Sequence, residues 1–271
     1  MARPARPCYI PAMAQPHHTD VPHTTDAPGR LLFSGHASRP WPSLVFLSPL
    51  LAFYTLGLVW VRPDLAAGAD LLLRRALEPL GLTGILAPAA AVVVVLLAWQ
   101  VATRGPWRFP VRLLGAMAAE TALLAVPLLA LCAAFYTVSA RAAELAFPAI
   151  PVPPDTGWLE LGMTSVGAGI YEELLFRLVL VGGLVLLARH VVGLDPNGAI
   201  VAAVLVAAAL FAGAHTLDNP RAFTWPSFLW RTAAGVYLSL VFAYRGFGIA
   251  AGVHIAWNLA VKALVVAVPL A

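Results

Sequence analysis

The sequence predicts an all-α, polytopic membrane protein, and two observations lead to that fold class. Of its 271 residues, 61% are hydrophobic and only 11% are charged, with a mean hydropathy of +0.83. A soluble domain needs more polar surface than this composition supplies. Apolar stretches of about 20 residues, the length that crosses the hydrocarbon core of a bilayer, also recur along the chain. We therefore expect seven to eight transmembrane helices around a polar intramembrane cavity.

Seven apolar stretches are predicted to span the membrane. They are Leu44–Val61, Leu82–Ala102, Val111–Val138, Leu159–Leu187, Ala199–His215, Trp225–Tyr244 and Ile249–Leu270. The fourth is long enough to be tilted, or broken near Gly167 and Gly169. Between the first two spans, Leu65–Pro79 mixes charged residues with leucine and alanine, which predicts an amphipathic interfacial helix or the polar start of the second span.

The chain divides into three regions. Residues 1–40 are rich in proline and histidine without periodicity, which predicts a disordered tail. Residues 41–155 hold the N-terminal membrane helices, and residues 156–271 form a C-terminal membrane core. The proline-rich segment 146–155 separates them, because its prolines cannot continue a helix.

Charge and cysteine content narrow the class of partner. The net charge of +4 comes almost entirely from arginines scattered mostly over the loops, so nucleic acid is not an expected partner. We expect the protein to lie in the lipid bilayer, and we predict a multi-pass protein of the bacterial inner membrane. Cys8 and Cys132 predict no disulfide framework.

Three charged residues lie inside the fourth predicted span, in IYEELLFRLVL. Glu173 and Arg177 are four residues apart on one helix face, so an ion pair between them would let both charges survive burial. Glu172 is rotated by about 100° from Glu173 and can point into a different space. It is then available for chemistry, although both glutamates joining an ion-pair network would also fit the pattern.

Polar side chains on two later spans complete the set. His215 lies near the end of the fifth span, and His254 and Asn258 share one face of the last span. Just upstream, Gly248 and Gly252 form a small-xxx-small pattern that lets a neighbouring helix come close. One pocket can thus receive a carboxylate, two imidazoles and a carboxamide.

These groups are sufficient to hydrolyse an amide bond with water. A carboxylate can take a proton from water while an imidazole orients it, and imidazole and amide donors can hold the oxyanion. No cofactor is required. One glutamate and two histidines would also accommodate a divalent metal such as zinc. The helix signature HExxH is absent, however, so a metal is not implied.

The three motifs together resemble those of a known family. EELLFR fits EExxxR, FAGAH fits FxxxH with Phe211 at its start, and HIAWN fits HxxxN, in that order and each on a predicted span. The chain is therefore similar, over roughly residues 156–270, to the CPBP family of intramembrane proteases, which is related to CAAX prenyl endopeptidases and abortive-infection proteins.

The resemblance implies an intramembrane endopeptidase and a role for each motif residue. Glu172 and His215 would activate water, and His254 and Asn258 would stabilise the oxyanion. The substrate implied is a peptide or protein at the membrane. Whether such enzymes use the glutamate alone or a metal stays open at this point.

In the same motifs, the resemblance makes Glu173 and Arg177 a structural ion pair, in agreement with their spacing.

Two other function classes compete with proteolysis. A proton-coupled transporter would use Glu120, Glu172 and the histidines as a relay, and a noncatalytic membrane scaffold or immunity protein would keep the residues for packing.

Overall fold

The computed structural model describes residues 39–141, 157–217 and 223–267, and every regular element in these ranges is helical. The all-α membrane fold predicted from composition is confirmed. Nearly all of the predicted 1–40 tail and the whole proline-rich segment 146–155 lie outside the described residues.

Helices α1 to α9 follow one another within these ranges. They are α1 (Pro40–Trp60), α2 (Gly68–Leu77), α3 (Ala87–Thr103), α4 (Arg112–Arg141), α5 (Trp158–Glu173), α6 (Gly182–His190), α7 (Pro196–Leu217), α8 (Trp225–Arg245) and α9 (Phe247–Ala267). A π-helical segment, Leu174–Val181, joins α5 directly to α6. Prolines occupy the first turn of α1, α3 and α8, where a missing backbone N–H leaves no bond unmade.

Each of the seven predicted spans coincides with a helix or with the continuous α5–α6 rod. By length and composition, four helices of the described chain can cross a membrane: Pro40–Trp60, Arg112–Phe135, Pro196–His215 and Phe247–Leu264. Helix α3 is apolar but has only 17 residues. The amphipathic segment predicted at Leu65–Pro79 forms α2, with a short 3₁₀ turn on either side.

The inner face of α2 is pinned to α1 by a buried polar cluster. Asp70 is 1% exposed and accepts two hydrogen bonds from Arg74, at 2.8 and 3.0 Å. It also accepts one from the Tyr54 hydroxyl at 2.7 Å, and that hydroxyl in turn accepts from the Ala67 amide at 2.9 Å. Because these groups satisfy one another's hydrogen-bonding capacity, the charges of α2 are tolerated beside apolar helices.

Of the two alternatives for the fourth span, a tilt or a break near Gly167 and Gly169, the break does not occur. Helix α5 continues through both glycines and changes to π geometry only at Leu174. The glycines instead permit close packing: a methyl group on Gly167 would lie 2.7 Å from Tyr54 Cζ, and one on Gly169 would lie 3.0 Å from the Ile255 amide nitrogen. They therefore bring α5 against α1 and α9.

Helix α9 packs against α1, α4, α5 and α8. Gly248 lies on Ser43 of α1, and Gly252 lies on Thr121 of α4, so the small-xxx-small pattern does permit close approach. The helices that pack on Gly248 and Gly252 are α1 and α4, on the side of α9 away from the polar motifs. One cluster of buried apolar side chains includes residues from both the N-terminal and the C-terminal helices.

Candidate active site

The two glutamates lie where α5 meets the π segment, against α9. The close contact at Gly169 holds the two backbones together three residues before Glu172. At that level of α9 the facing polar side chain is His254. Gly169 has no side chain to keep α5 and α9 apart. The carboxylates of Glu172 and Glu173 therefore lie beside the imidazole of His254.

Glu173 forms the buried half of the site. Its Oε1 atom lies 3.0 Å from a guanidinium nitrogen of Arg177 and 2.8 Å from Nδ1 of His254. The side chains of Glu173 and Arg177 are 0% and 1% exposed. The contact with Arg177 follows from the four-residue spacing. The contact with His254 has no signal in the sequence, since it joins residues 81 positions apart.

Glu172 occupies a different space from Glu173. Its Oε2 atom lies 3.8 Å from Nε2 of His215 and 3.8 Å from Nε2 of His254. Both separations exceed a direct hydrogen bond. The same oxygen is buried and has no hydrogen-bond partner among the described atoms. The Glu172 side chain as a whole is 17% exposed, whereas that of Glu173 is fully buried.

The hydrogen bonds of the two rings determine which nitrogen faces Glu172. Nδ1 of His215 lies 2.8 Å from the carbonyl oxygen of Phe211, which can only accept, so Nδ1 carries the hydrogen. Nδ1 of His254 likewise donates to the carboxylate of Glu173. We assign the tautomers from these partners. In the neutral rings both Nε2 atoms then present a lone pair towards Glu172.

Phe211 connects the parts of the site. Its ring is 4.6 Å from the His215 ring and 6.4 Å from the His254 ring, measured between centroids. The guanidinium carbon of Arg177 lies 4.4 Å above the same ring. Phe176 packs edge-on against it at 5.1 Å. Phe211 thus lies beside both imidazoles, accepts a hydrogen bond from His215 and covers the buried cation, contacts that the motif spacing alone did not indicate.

Asn258 lies one helical turn beyond His254 in α9 and is 8% exposed. Residues four apart in a helix share a face, so its carboxamide is on the side of α9 that carries His254. Among the described residues, no group of three or more His, Cys, Asp or Glu side chains has the arrangement of a metal site.

Glu120 is outside this site. Arg245 of α8 holds its carboxylate through two guanidinium nitrogens, so the pair ties α4 to α8. The position favours a structural role over a proton relay that includes Glu172.

The site residues lie in the part of the chain that matches a known family. Residues 154–260 match the Rce1-like family model. Its description is type II CAAX prenyl endopeptidase Rce1-like. The match confirms the resemblance predicted from the three motifs. It covers less than half of the chain, but this Rce1-like region contains Glu172, His215, His254 and Asn258. At the level of the family, it supports an intramembrane CAAX-type endopeptidase.

No curated protein and no solved structure gives a significant match to the chain.

Proposed function

We propose that the protein hydrolyses peptide bonds within the membrane, using water activated by Glu172. The observation that carries the proposal is the position of the Glu172 Oε2 atom, 3.8 Å from the Nε2 atoms of both His215 and His254. This spacing leaves room for a water molecule that donates one hydrogen bond to Glu172 and one to His215 and lies beside His254. The family match to an endopeptidase agrees with this chemistry.

In the proposed reaction, Glu172 is the general base. It takes a proton from the water while His215, held by the Phe211 carbonyl, accepts the water's second hydrogen bond and orients it. The water oxygen attacks the peptide carbonyl and forms a tetrahedral intermediate. Glu172 then delivers its proton to the leaving amine, and the carbon–nitrogen bond breaks.

His254 and Asn258 are proposed to stabilise the oxyanion of that intermediate. This role requires a proton on Nε2 of His254 while Nδ1 also carries one. Nδ1 of His254 faces the Glu173 carboxylate at 2.8 Å, and its Nε2 is on the side of Glu172, at 3.8 Å. The Asn258 carboxamide supplies a second donor one turn along the helix.

Glu173 and Arg177 serve in this scheme as the structural pair. Arg177 neutralises the buried carboxylate and is itself covered by Phe211. Glu173 also orients His254, as the carboxylate of a catalytic triad orients its histidine. The catalytic core proposed is the C-terminal region 156–271, and its substrate is a peptide or protein presented at the bilayer.

The test is cleavage of a peptide library by purified protein in detergent, analysed by mass spectrometry. Wild type is compared with Glu172→Gln and His215→Ala, each with and without a chelator. We expect wild type to cleave and both variants to lose at least about a hundredfold in rate. Equal activity in all three proteins would remove the catalytic assignment. Activity that is lost on chelation and restored by zinc would replace the base mechanism with a metal-dependent one.

A further inference from the structure

The loop that joins α3 to α4 carries three exposed arginines and has no part in the proposed reaction. Arg104, Arg108 and Arg112 follow one another at intervals of four residues. Within the described ranges none of them is in an ion pair. The sequence has no acidic residue in this loop or in the first two turns of α4, and the next one, Glu120, is already held by Arg245. The loop is therefore a concentration of positive charge without a partner in the described part of the chain.

The backbone of this loop is anchored to the start of α1. Gln100 of α3 is 1% exposed, and its Nε2 atom donates to the carbonyl oxygen of Gly105 at 2.8 Å. Its Oε1 atom accepts from the backbone N–H of Trp41 at 3.1 Å. The Trp107 ring packs edge-on against the Trp41 ring at 5.3 Å between centroids. These contacts fix the loop between α1 and α3, so the arginines are carried on an ordered support.

Arg104 occupies a position at which glycine is usual. It caps the C-terminus of α3 with a φ of 51°, in the left-handed region. Among the described residues the other three with positive φ are all glycines. Glycine adopts this conformation without steric cost, whereas an arginine is strained in it. Such strain is typical of a residue whose side chain has a function.

The loop lies at the depth of the membrane surface. Two helices apolar and long enough to cross a membrane, Pro40–Trp60 and Arg112–Phe135, begin beside it. The side chains of Trp107 and Val111 are nevertheless exposed, at 51% and 78%. Tryptophan and apolar side chains mixed with cations are typical of the interface between bilayer and water. The three arginines are therefore at the level of the lipid headgroups.

A groove leads from this loop along α4. Its volume is about 430 Å³, and it is lined by Pro110, Arg112, Leu113 and Ala116. Leu123 follows Arg112 by 11 residues, which places it within about 20° of the same face of the helix. It is 69% exposed. An anionic group at the arginine end of the groove could thus carry an apolar chain that continues along this face into the hydrocarbon.

We propose that the loop Arg104–Arg112 binds the phosphate headgroup of an anionic phospholipid, with one acyl chain lying along α4 over Ala116 and Leu123. Even in a fully extended loop, the backbone of Arg108 is within about 14 Å of the other two arginines, so all three attract one headgroup region. Guanidinium groups bind phosphate through paired hydrogen bonds. A zwitterionic lipid is held less strongly, because its own ammonium group compensates for the phosphate. This binding is independent of peptide hydrolysis.

The test is native mass spectrometry of the full-length protein, purified in an uncharged detergent and stripped of lipid. The protein is incubated with equimolar phosphatidylglycerol and phosphatidylcholine that have the same acyl chains, and the bound lipids are counted. We expect wild type to retain phosphatidylglycerol at least about tenfold over phosphatidylcholine, since each arginine near a charged headgroup contributes about fivefold to binding.

Variants of the loop assign this preference to its arginines. Arg108→Gln/Arg112→Gln should lose most of it. Arg104→Gly should lower it by about fivefold, while the unfolding temperature without lipid stays the same or rises, because glycine suits the positive φ. Arg75→Gln/Arg189→Gln is the matched control. It removes two exposed arginines elsewhere on the described chain and should keep the preference. If Arg108→Gln/Arg112→Gln does not fold, Arg104→Gly alone decides the outcome.

A last arm separates a lipid site from a site for a free phosphate. Excess glycerol 3-phosphate presents the same phosphate chemistry without acyl chains, and we expect it to displace little of the bound phosphatidylglycerol. Full displacement would overturn the assignment to a lipid. Equal retention of the two lipids by wild type, an unchanged preference in the loop variants, or the same loss in the control variant would overturn the inference as a whole.

Discussion

At the scale of single residues, the candidate site holds one fully buried carboxylate, Glu173, beside a partly exposed one, Glu172. Glu173 is fully enclosed and contacts Arg177 and His254, whereas Oε2 of Glu172 has no hydrogen-bond partner in the described part of the chain. Adjacent positions on a helix differ by about 100° in direction, which is enough to give two identical side chains different surroundings. On the proposed mechanism, this difference in surroundings gives each glutamate its role.

Glu173 and Arg177 provide a test that separates stability from activity. Glu173→Gln should lower the free energy of unfolding by about 3 to 5 kcal/mol, because Arg177 is left buried without its counterion. The double variant Glu173→Leu/Arg177→Met should recover most of that loss, since an apolar pair of similar size replaces the ion pair. Its hydrolytic activity should stay low because His254 has lost the acceptor at Nδ1. Unfolding in detergent and peptide hydrolysis are the two measurements.

Recovery of both stability and activity in the double variant would contradict the orienting role of Glu173.

Asn258 tests the oxyanion assignment. Asn258→Ala should reduce kcat by about a hundredfold, the scale for one oxyanion donor, with little change in KM. Steady-state kinetics on any peptide cleaved by wild type gives both constants, and the unfolding transition serves as the control for folding. A variant with normal kcat would place the oxyanion elsewhere.

At the scale of the helices, the site depends on how closely α5 approaches its neighbours. Glycines at 167 and 169 bring α5 onto Tyr54 of α1 and Ile255 of α9. Tyr54 belongs to the cluster with Asp70 that anchors α2, and its ring contacts Tyr171, the residue before Glu172, at 5.6 Å between centroids. The α5–α6 rod, which carries both glutamates, is therefore held from two sides.

Gly169→Ala should move α5 away from α9. The added methyl group meets the Ile255 amide nitrogen at 3.0 Å and the Ala251 carbonyl oxygen at 3.2 Å, neither of which is the end of a flexible side chain. We expect a loss of about 1 to 3 kcal/mol in stability. Activity should fall further, as Glu172 separates from His254. Gly182→Ala, on the same rod with nothing within 4 Å, is the matched control and should be neutral or slightly stabilising.

If Gly169→Ala retains full activity in the folded protein, close packing at that point does not set the geometry of the site.

Much of this fold follows from the sequence, and the exceptions have a physical cause. Span length and apolarity predict the helices, and a four-residue spacing predicts the contact between Glu173 and Arg177. The sequence left open whether the fourth span is tilted or is broken at Gly167 and Gly169, because a glycine that bends a helix and one that admits a neighbour look alike in one chain. The bonds of His254 to Glu173 and of Arg245 to Glu120 join distant spans, so no local pattern indicates them.

At the scale of the whole molecule, the N-terminal helices are part of the support of the site. Helix α9, which carries His254, packs on α1 and α4, and residues such as Leu47 and Met117 share one apolar core with Ile170 and Ile255. The family match nevertheless begins only at residue 154. The region outside the match should therefore be needed for folding even though it supplies no proposed catalytic group.

Splitting the chain tests this dependence. Residues 151–271 expressed alone should yield little detergent-stable protein, because α9 would expose its apolar contacts with α1 and α4. Coexpression with residues 1–150 should restore a complex that copurifies and cleaves peptide. A C-terminal fragment that is stable and active alone would show that the Rce1-like region is independent of the first helices.

The central claim is that Glu172 and His215 act together on a single water molecule. The most direct measurement is a double-mutant cycle in kcat with Glu172→Gln, His215→Ala and the double variant on one peptide substrate. Residues that act as a unit give non-additive losses, so the double variant should be no more than a few-fold slower than Glu172→Gln alone. The account is contradicted if the rate loss of the double variant equals the product of the two single losses. It is also contradicted if the Glu172→Gln protein is as active as wild type.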